Sequence, residues 1–173
     1  MAAIVNRRSP SSCACAHTRT LRHAGYSYAM SRKNVELVQG VLAGFIATGI
    51  PAWDLLDEGV EVHDHDVMDA DEYRGHAGFG SWLKNWDAAW ADFSMQPKEF
   101  LDGGERIVSV FRMTATGRGS GVEVQRQDAI VWSVRDGKIV RLDYYNNREQ
   151  ALGAVGRQSR RRIKALGLRG RSR

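Results

Sequence analysis

A chain of 173 residues with 43% apolar and 26% charged residues has an ordinary globular composition and the length for one domain with a hydrophobic core. The formal net charge is +5, yet twelve of the 25 basic residues lie outside residues 30–156, which leaves 13 against all 20 acidic residues and a body charge of −7. A body of that sign repels phosphate backbones, so nucleic-acid binding is not expected of the folded part, and only the basic ends could meet an anionic surface.

Residues 1–29 hold Arg7, Arg8, Arg19 and Arg22, no acid, and both cysteines, Cys13 and Cys15. The composition is that of a transit peptide, but no apolar run is long enough for a secretory signal or a membrane span. Met30 opens a sequence that reads as a natural start before a helix, so an upstream start codon, a disordered extension and a targeting segment all stay open. The expected organisation is a disordered basic extension over 1–29, one domain over 30–156 and a basic flexible tail over 157–173, in a cytoplasmic protein. With no cysteine in the body, no disulfide framework or thiol nucleophile supports the fold.

From Ser31, which is placed to cap a helix, Val35, Val38, Leu42, Phe45 and Ile46 recur at helical spacing. Gly49 and Pro51 end that helix and open a short second one that Gly59 closes. Val60-Glu-Val-His-Asp-His-Asp then alternates as a half-buried strand, with Val60, Val62 and Asp64 on the inner side and His63 and His65 opposite. A third helix begins near Gly75 and aligns Phe79, Trp82, Leu83, Trp86 and Trp90 in one aromatic stripe. Four strand-like runs follow, over 93–101, 106–116, 121–134 and 138–145. Asp102-Gly-Gly-Glu, Gly117-Arg-Gly-Ser-Gly and Arg135-Asp-Gly-Lys connect them, and Asp-Gly between alternating runs marks a hairpin. Helices gathered before an antiparallel sheet predict an α+β fold with helices on one face.

Three aspartates are candidates for chemistry: Asp64, Asp128 and Asp143. A carboxylate facing a tryptophan-lined cavity loses hydration, which raises its pKa toward a range useful for proton transfer. Plain structural readings stand beside each. Asp64 is followed by His65, Asp66, Asp69 and Asp71 and suits a solvated acidic rim, while Arg126 and Arg141 are spaced to pair with Asp128 and Asp143. His63 and Asp64 point to opposite faces and cannot share one ion, and a His63 and His65 pair lacks a third ligand, so no metal or cofactor is expected.

Five ordered blocks, Ser31-Arg-Lys-Asn-Val-Glu-Leu-Val, Val60-Glu-Val-His-Asp, Tyr73-Arg-Gly-His-Ala-Gly, Trp132-Ser-Val-Arg-Asp-Gly-Lys-Ile-Val-Arg and Tyr144-Tyr-Asn-Asn-Arg-Glu-Gln-Ala-Leu, resemble the SnoaL-like polyketide cyclase family of the nuclear transport factor 2-like superfamily. The resemblance implies a cone: three N-terminal helices on a strongly curved antiparallel or mixed sheet, enclosing an apolar pocket. It places Asp64 where ketosteroid isomerases hold a general base, although Leu42 and Phe45 stand where those enzymes have a tyrosine. It also matches Asp143 to an acid of limonene epoxide hydrolases, whose second acid falls here near Val108 or Ser109.

The resulting expectation is a cofactor-independent acid–base enzyme on a hydrophobic, oxygenated small molecule. Asp64 and Asp143 are its catalytic candidates, and Trp82, Trp86, Phe111, Asp128 and Tyr145 its substrate-binding ones. The alternative is a non-catalytic ligand-binding or dimerisation module of the same fold. An apolar outer sheet face suggests a homodimer in either case.

Overall fold

A computed structural model describes the backbone of residues 17–66 and 73–165 and the side chains of residues 31–66 and 73–156. The expectations for Cys13, Cys15, Asp69, Asp71 and the last eight residues lie outside these. Among the described residues, the chain runs α1 (His17–Thr48), a 3-10 turn (Trp53–Leu55), β1 (Leu56–Asp64), β2 (Tyr73–Arg74), α2 (Gly75–Ala89), β3 (Trp90–Asp102), β4 (Arg106–Gly117), β5 (Glu123–Arg135), β6 (Lys138–Tyr145) and α3 (Arg148–Ala165).

The strands form one mixed sheet in the order β2-β1-β6-β5-β4-β3, in which only the β1–β6 pair is parallel. Two irregularities in β3, between Ala91 and Ser94 and between Pro97 and Glu99, break the register against β4. Bulges of this kind bend a strand and increase its twist, which curls the sheet around one face. That face carries the main core: Val38, Val41 and Leu42 of α1 and Phe79 and Trp82 of α2 pack on Val60, Val62, Phe111, Ile130, Trp132, Leu142 and Tyr144. A sequence with both faces partly apolar needs two covers, and α3 supplies the second. Its Ala151, Leu152, Ala154 and Val155 lie on Val108, Val110, Ala129, Val131 and Tyr145 of the outer face.

Several expectations are corrected here. Ser31 caps nothing: α1 is continuous through it from His17, and its hydroxyl donates instead to the Asp102 carboxylate of β3. The helix ends as anticipated at Gly49, whose φ of +69° lets its N–H reach Phe45 O at 2.7 Å. The second helix shrinks to one 3-10 turn because β1 starts already at Leu56, before Gly59. Helices do not keep to one face, since α3 begins at Arg148, inside the expected domain, and runs into the expected tail as far as Ala165. The apolar outer strip that suggested a homodimer is therefore covered by the chain's own helix. Arg148 helps fix it, with Nε 3.0 Å from Glu99 Oε2 on β3.

Ala151 is fully buried in this seam. Ala151→Glu should cost about 3 kcal/mol in urea unfolding, because an unpaired charge is forced against apolar strands. Glu99→Ala, which only removes a half-exposed ion pair, should cost below about 1 kcal/mol. An unchanged midpoint for Ala151→Glu would show that α3 does not cover the sheet.

Candidate functional site

The site is built where α2 crosses the end of β1. Trp82 and Trp86, four residues apart, lie on one face of α2. Both direct their indole N–H to the same oxygen: Asp64 Oδ2 accepts from Trp82 Nε1 at 2.8 Å and from Trp86 Nε1 at 3.2 Å. Asp64 Oδ1 accepts the backbone N–H of Asp66 at 3.0 Å. The carboxylate is 5% exposed, so these three donors replace its lost water. Fixed in this way, the two rings meet edge to face at 6.2 Å.

Beneath them opens a cavity of about 570 Å³. Its floor is formed by buried side chains, among them Leu42, Phe79, Trp82, Trp132, Leu142 and Tyr144. Exposed residues of the lining mark the mouth: Gly49 after α1, Lys84 and Asp87 on α2, Asp92 and Phe93 on β3, and Arg118 on the β4–β5 hairpin. Arg118 is tied down, donating to the carbonyl oxygens of Asp87 and Trp90 at 3.0 Å each.

Behind Tyr144 lies a second polar group. The Tyr144 hydroxyl donates to Asp128 Oδ2, and Arg126 Nε bonds both oxygens of Asp128 at 2.8 and 3.1 Å. Arg126 Nη2 also reaches Asp66 Oδ2 at 2.6 Å, and Asn146 donates to the same Asp66 carboxylate. Burial pushes the Asp128 carboxyl above its ordinary range, and the bonds from Tyr144 and Arg126 only partly oppose it. Burial and the Asp128 charge beside it likewise push the Tyr144 phenol well above its ordinary value.

The sequence candidates thus separate. Trp82 and Trp86 line the cavity, whereas Asp64 stands behind them as their acceptor and does not line it. Asp128 is fully buried behind Tyr144, and Phe111 lies in the core, 6.3 Å from the Tyr144 ring. Asp143 and Tyr145 are on the other side of the sheet. Asp64 and Tyr144 are register partners across the parallel β1–β6 pair, and successive residues of a strand alternate faces. Asp143 therefore points away from the cavity and cannot meet Asp64 across it. It is bound instead by Arg141, at 2.8 and 2.6 Å, and by His65 Nε2 at 3.1 Å, while the His65 ring stacks on Tyr145 at 4.4 Å. Burial would raise the Asp143 carboxyl, but the Arg141 and His65 bonds and charges outweigh it and hold it below the usual range.

Both arginine pairings considered from the sequence, Arg126 with Asp128 and Arg141 with Asp143, are present. Tyr144 and Trp132 are lining residues that the sequence reading left out, and Trp90, which it placed in the helical stripe, lines the cavity from the start of β3. The alternation of β6, with Leu142 in phase with Tyr144, was the signal that could have found Tyr144. Among the described residues, no group of three or more His, Cys, Asp or Glu is placed to hold a metal ion, and no helix is long and apolar enough to cross a membrane.

A helix-covered, curled mixed sheet around a cavity defines the class, and the comparisons agree. Residues 38–142, more than half of the chain, match the SnoaL-like domain, and the chain belongs to that family. Among solved structures, TerC co-crystallised with polyporic acid shares 21% identity, covering 72% of this chain and 98% of that one with a TM-score of 0.57. Bal32a from a soil-derived mobile gene cassette shares 17% identity over 73% of this chain and 98% of its own, with a TM-score of 0.60. An NTF2-like protein from Burkholderia thailandensis E264 shares 20% over 68% and 95%, with a TM-score of 0.59. At these identities the likeness is one of fold. No curated protein matches the chain in sequence.

Two predictions follow from the carboxylates. Asp64→Ala leaves two indole N–H groups without their acceptor and should cost about 2–4 kcal/mol in denaturant unfolding, with a loss of near-ultraviolet circular dichroism from the tryptophans; unaltered stability and spectrum would contradict the pairing. For Asp143 the folded-state pKa is lowered, so its stabilisation is complete above the unfolded carboxylate value of about 3.9 and fades as pH falls through the folded value. The penalty of Asp143→Asn, about 2 kcal/mol at neutral pH, should therefore shrink as pH falls below about 4. A penalty that grows in acid would have the wrong sign.

Proposed function

We propose that this SnoaL-like chain holds a small, largely apolar molecule in the chamber beneath Trp82 and Trp86. One observation carries the reading: the carboxylate of Asp64 draws both indole N–H groups backward, which leaves ring surface toward a cavity of about 570 Å³. That volume lies within the range of small-molecule sites, and aromatic walls suit a flat ligand. The structurally similar TerC was crystallised with polyporic acid, which supports a ligand of that general kind. Trp82 and Trp86 are its proposed walls; Asp64 is a positioning residue for them.

A second reading adds proton transfer and rests on Tyr144, the lining side chain backed by a buried acid. In it the Asp128 carboxyl, held above its ordinary range, shares a proton with Tyr144, and Tyr144 presents it to a ligand oxygen. Asp143, turned to the opposite face, has no part in either reading.

Titration with polyporic acid and, separately, with anilinonaphthalene sulfonate should quench tryptophan fluorescence saturably, with one ligand per chain. Leu83→Trp, at a half-buried position of the wall, should weaken both about tenfold by narrowing the space. No saturable quenching by either probe would remove the binding reading. For the second, carbon-13 titration of the aspartates must find Asp128 above the ordinary carboxylate range; a value at or below it would remove the proton-transfer role.

A further inference from the structure

The polar groups of the cavity wall can be counted donor by donor, and nearly all are already spent. The N–H groups of Trp82 and Trp86 go to Asp64 and that of Trp132 goes to Ser109 Oγ at 2.8 Å. The Tyr144 hydroxyl goes to Asp128. Arg118, at the mouth, gives its Nε–H and one Nη2–H to two carbonyl oxygens, and the Asp87 carboxylate 3.7 Å away offsets its charge. The floor therefore offers a ligand carbon surface and no free donor, and a polar group carried there would lose water without a partner.

At the mouth the count differs. Among the described residues, the Lys84 ammonium has no acidic partner and the Trp90 Nε1–H meets no acceptor, although both belong to the lining. Asp92 is the one lining acid without a cation beside it, and it is exposed. Lys84 is thus the lining cation with no acid within ion-pair distance, and Arg126 already stands over the Trp90 ring at 6.0 Å, on a face that a cationic ligand would otherwise use.

The geometry points to an amphipathic acid as the ligand class: an apolar, hydrogen-bond-free body in the chamber and one anionic oxygen group at the mouth, selected by Lys84 with Trp90 Nε1–H as a second donor. This rests on the binding reading above and makes Lys84 the residue that sets specificity. Its ammonium attracts the anion, while the spent floor rejects polar groups at the other end.

The test is isothermal titration calorimetry with three probes that share one ring system and differ only in the attached group: naphthoate, naphthalenemethanol and naphthylmethylamine. The wild-type chain should bind naphthoate about fivefold more tightly than the alcohol, as an exposed ion pair allows, and the amine most weakly. The acid-to-alcohol ratio should fall toward one in Lys84→Gln and at high salt, and should be retained in Lys98→Gln, an exposed lysine outside the lining. Equal affinities in the wild type, tightest binding of the amine, or an acid preference that survives Lys84→Gln would each overturn the assignment while leaving the chamber itself standing. Failure of all three probes to bind would overturn both.

Discussion

One buried carboxylate that accepts two indole N–H bonds is the constraint from which the site follows. An aspartate at 5% exposure is costly unless its oxygens are bonded, and the nearest donors that α2 can offer are tryptophans one turn apart. Satisfying Asp64 fixes the distance of α2 from the end of β1 and the rotation of both rings. A helix with leucines at positions 82 and 86 could slide down onto the sheet and fill the space. Held by Asp64 Oδ2, the indoles stand as props.

The second organising fact is the two-residue period of the strands acting on adjacent acidic and aromatic residues. In Asp143-Tyr-Tyr the middle residue turns toward the cavity and its neighbours turn away, so one tripeptide serves two environments. Tyr144 closes the chamber against buried Asp128. Asp143 joins Arg141 and His65 on the outer face, where it works as the centre of an ion-pair cluster. The same sheet also explains why the outer apolar strip needs α3, since Val108, Val110 and Val131 would otherwise stand open to water.

Much of this was legible in the sequence, where local chemistry suffices. The strands β4, β5 and β6 emerge within a residue or two because alternation bounded by glycine-rich turns specifies them; at the β5–β6 turn Asp136 and Gly137 both adopt the positive φ that an Asp-Gly turn demands. The face of α2 that carries Phe79, Trp82, Leu83 and Trp86 and the inward side of Val60, Val62 and Asp64 also follow from period alone, but Trp90, expected on the same helix, opens β3 instead. What escaped depends on contacts between distant segments. α3 has only a narrow apolar edge around Ala151, Leu152 and Val155 among arginines, and its helix is understood once the strip beneath it is known. The parallel register of β1 with β6, which aligns Asp64 with Tyr144 in place of Asp143, has no local signature. Nor does the meeting of Asp64 with two indoles, since spacing on a helix and alternation on a strand say nothing of how the two are docked.

Nitrogen-15 labelling of the tryptophans, with hydrogen exchange followed at each indole N–H by NMR, tests the central interaction most directly. The account predicts that the Trp82 and Trp86 indole protons exchange slowly, as donors locked onto a buried carboxylate, while the Trp90 indole proton exchanges fast. Rapid exchange at Trp82 and Trp86, at the rate of Trp90, would contradict it.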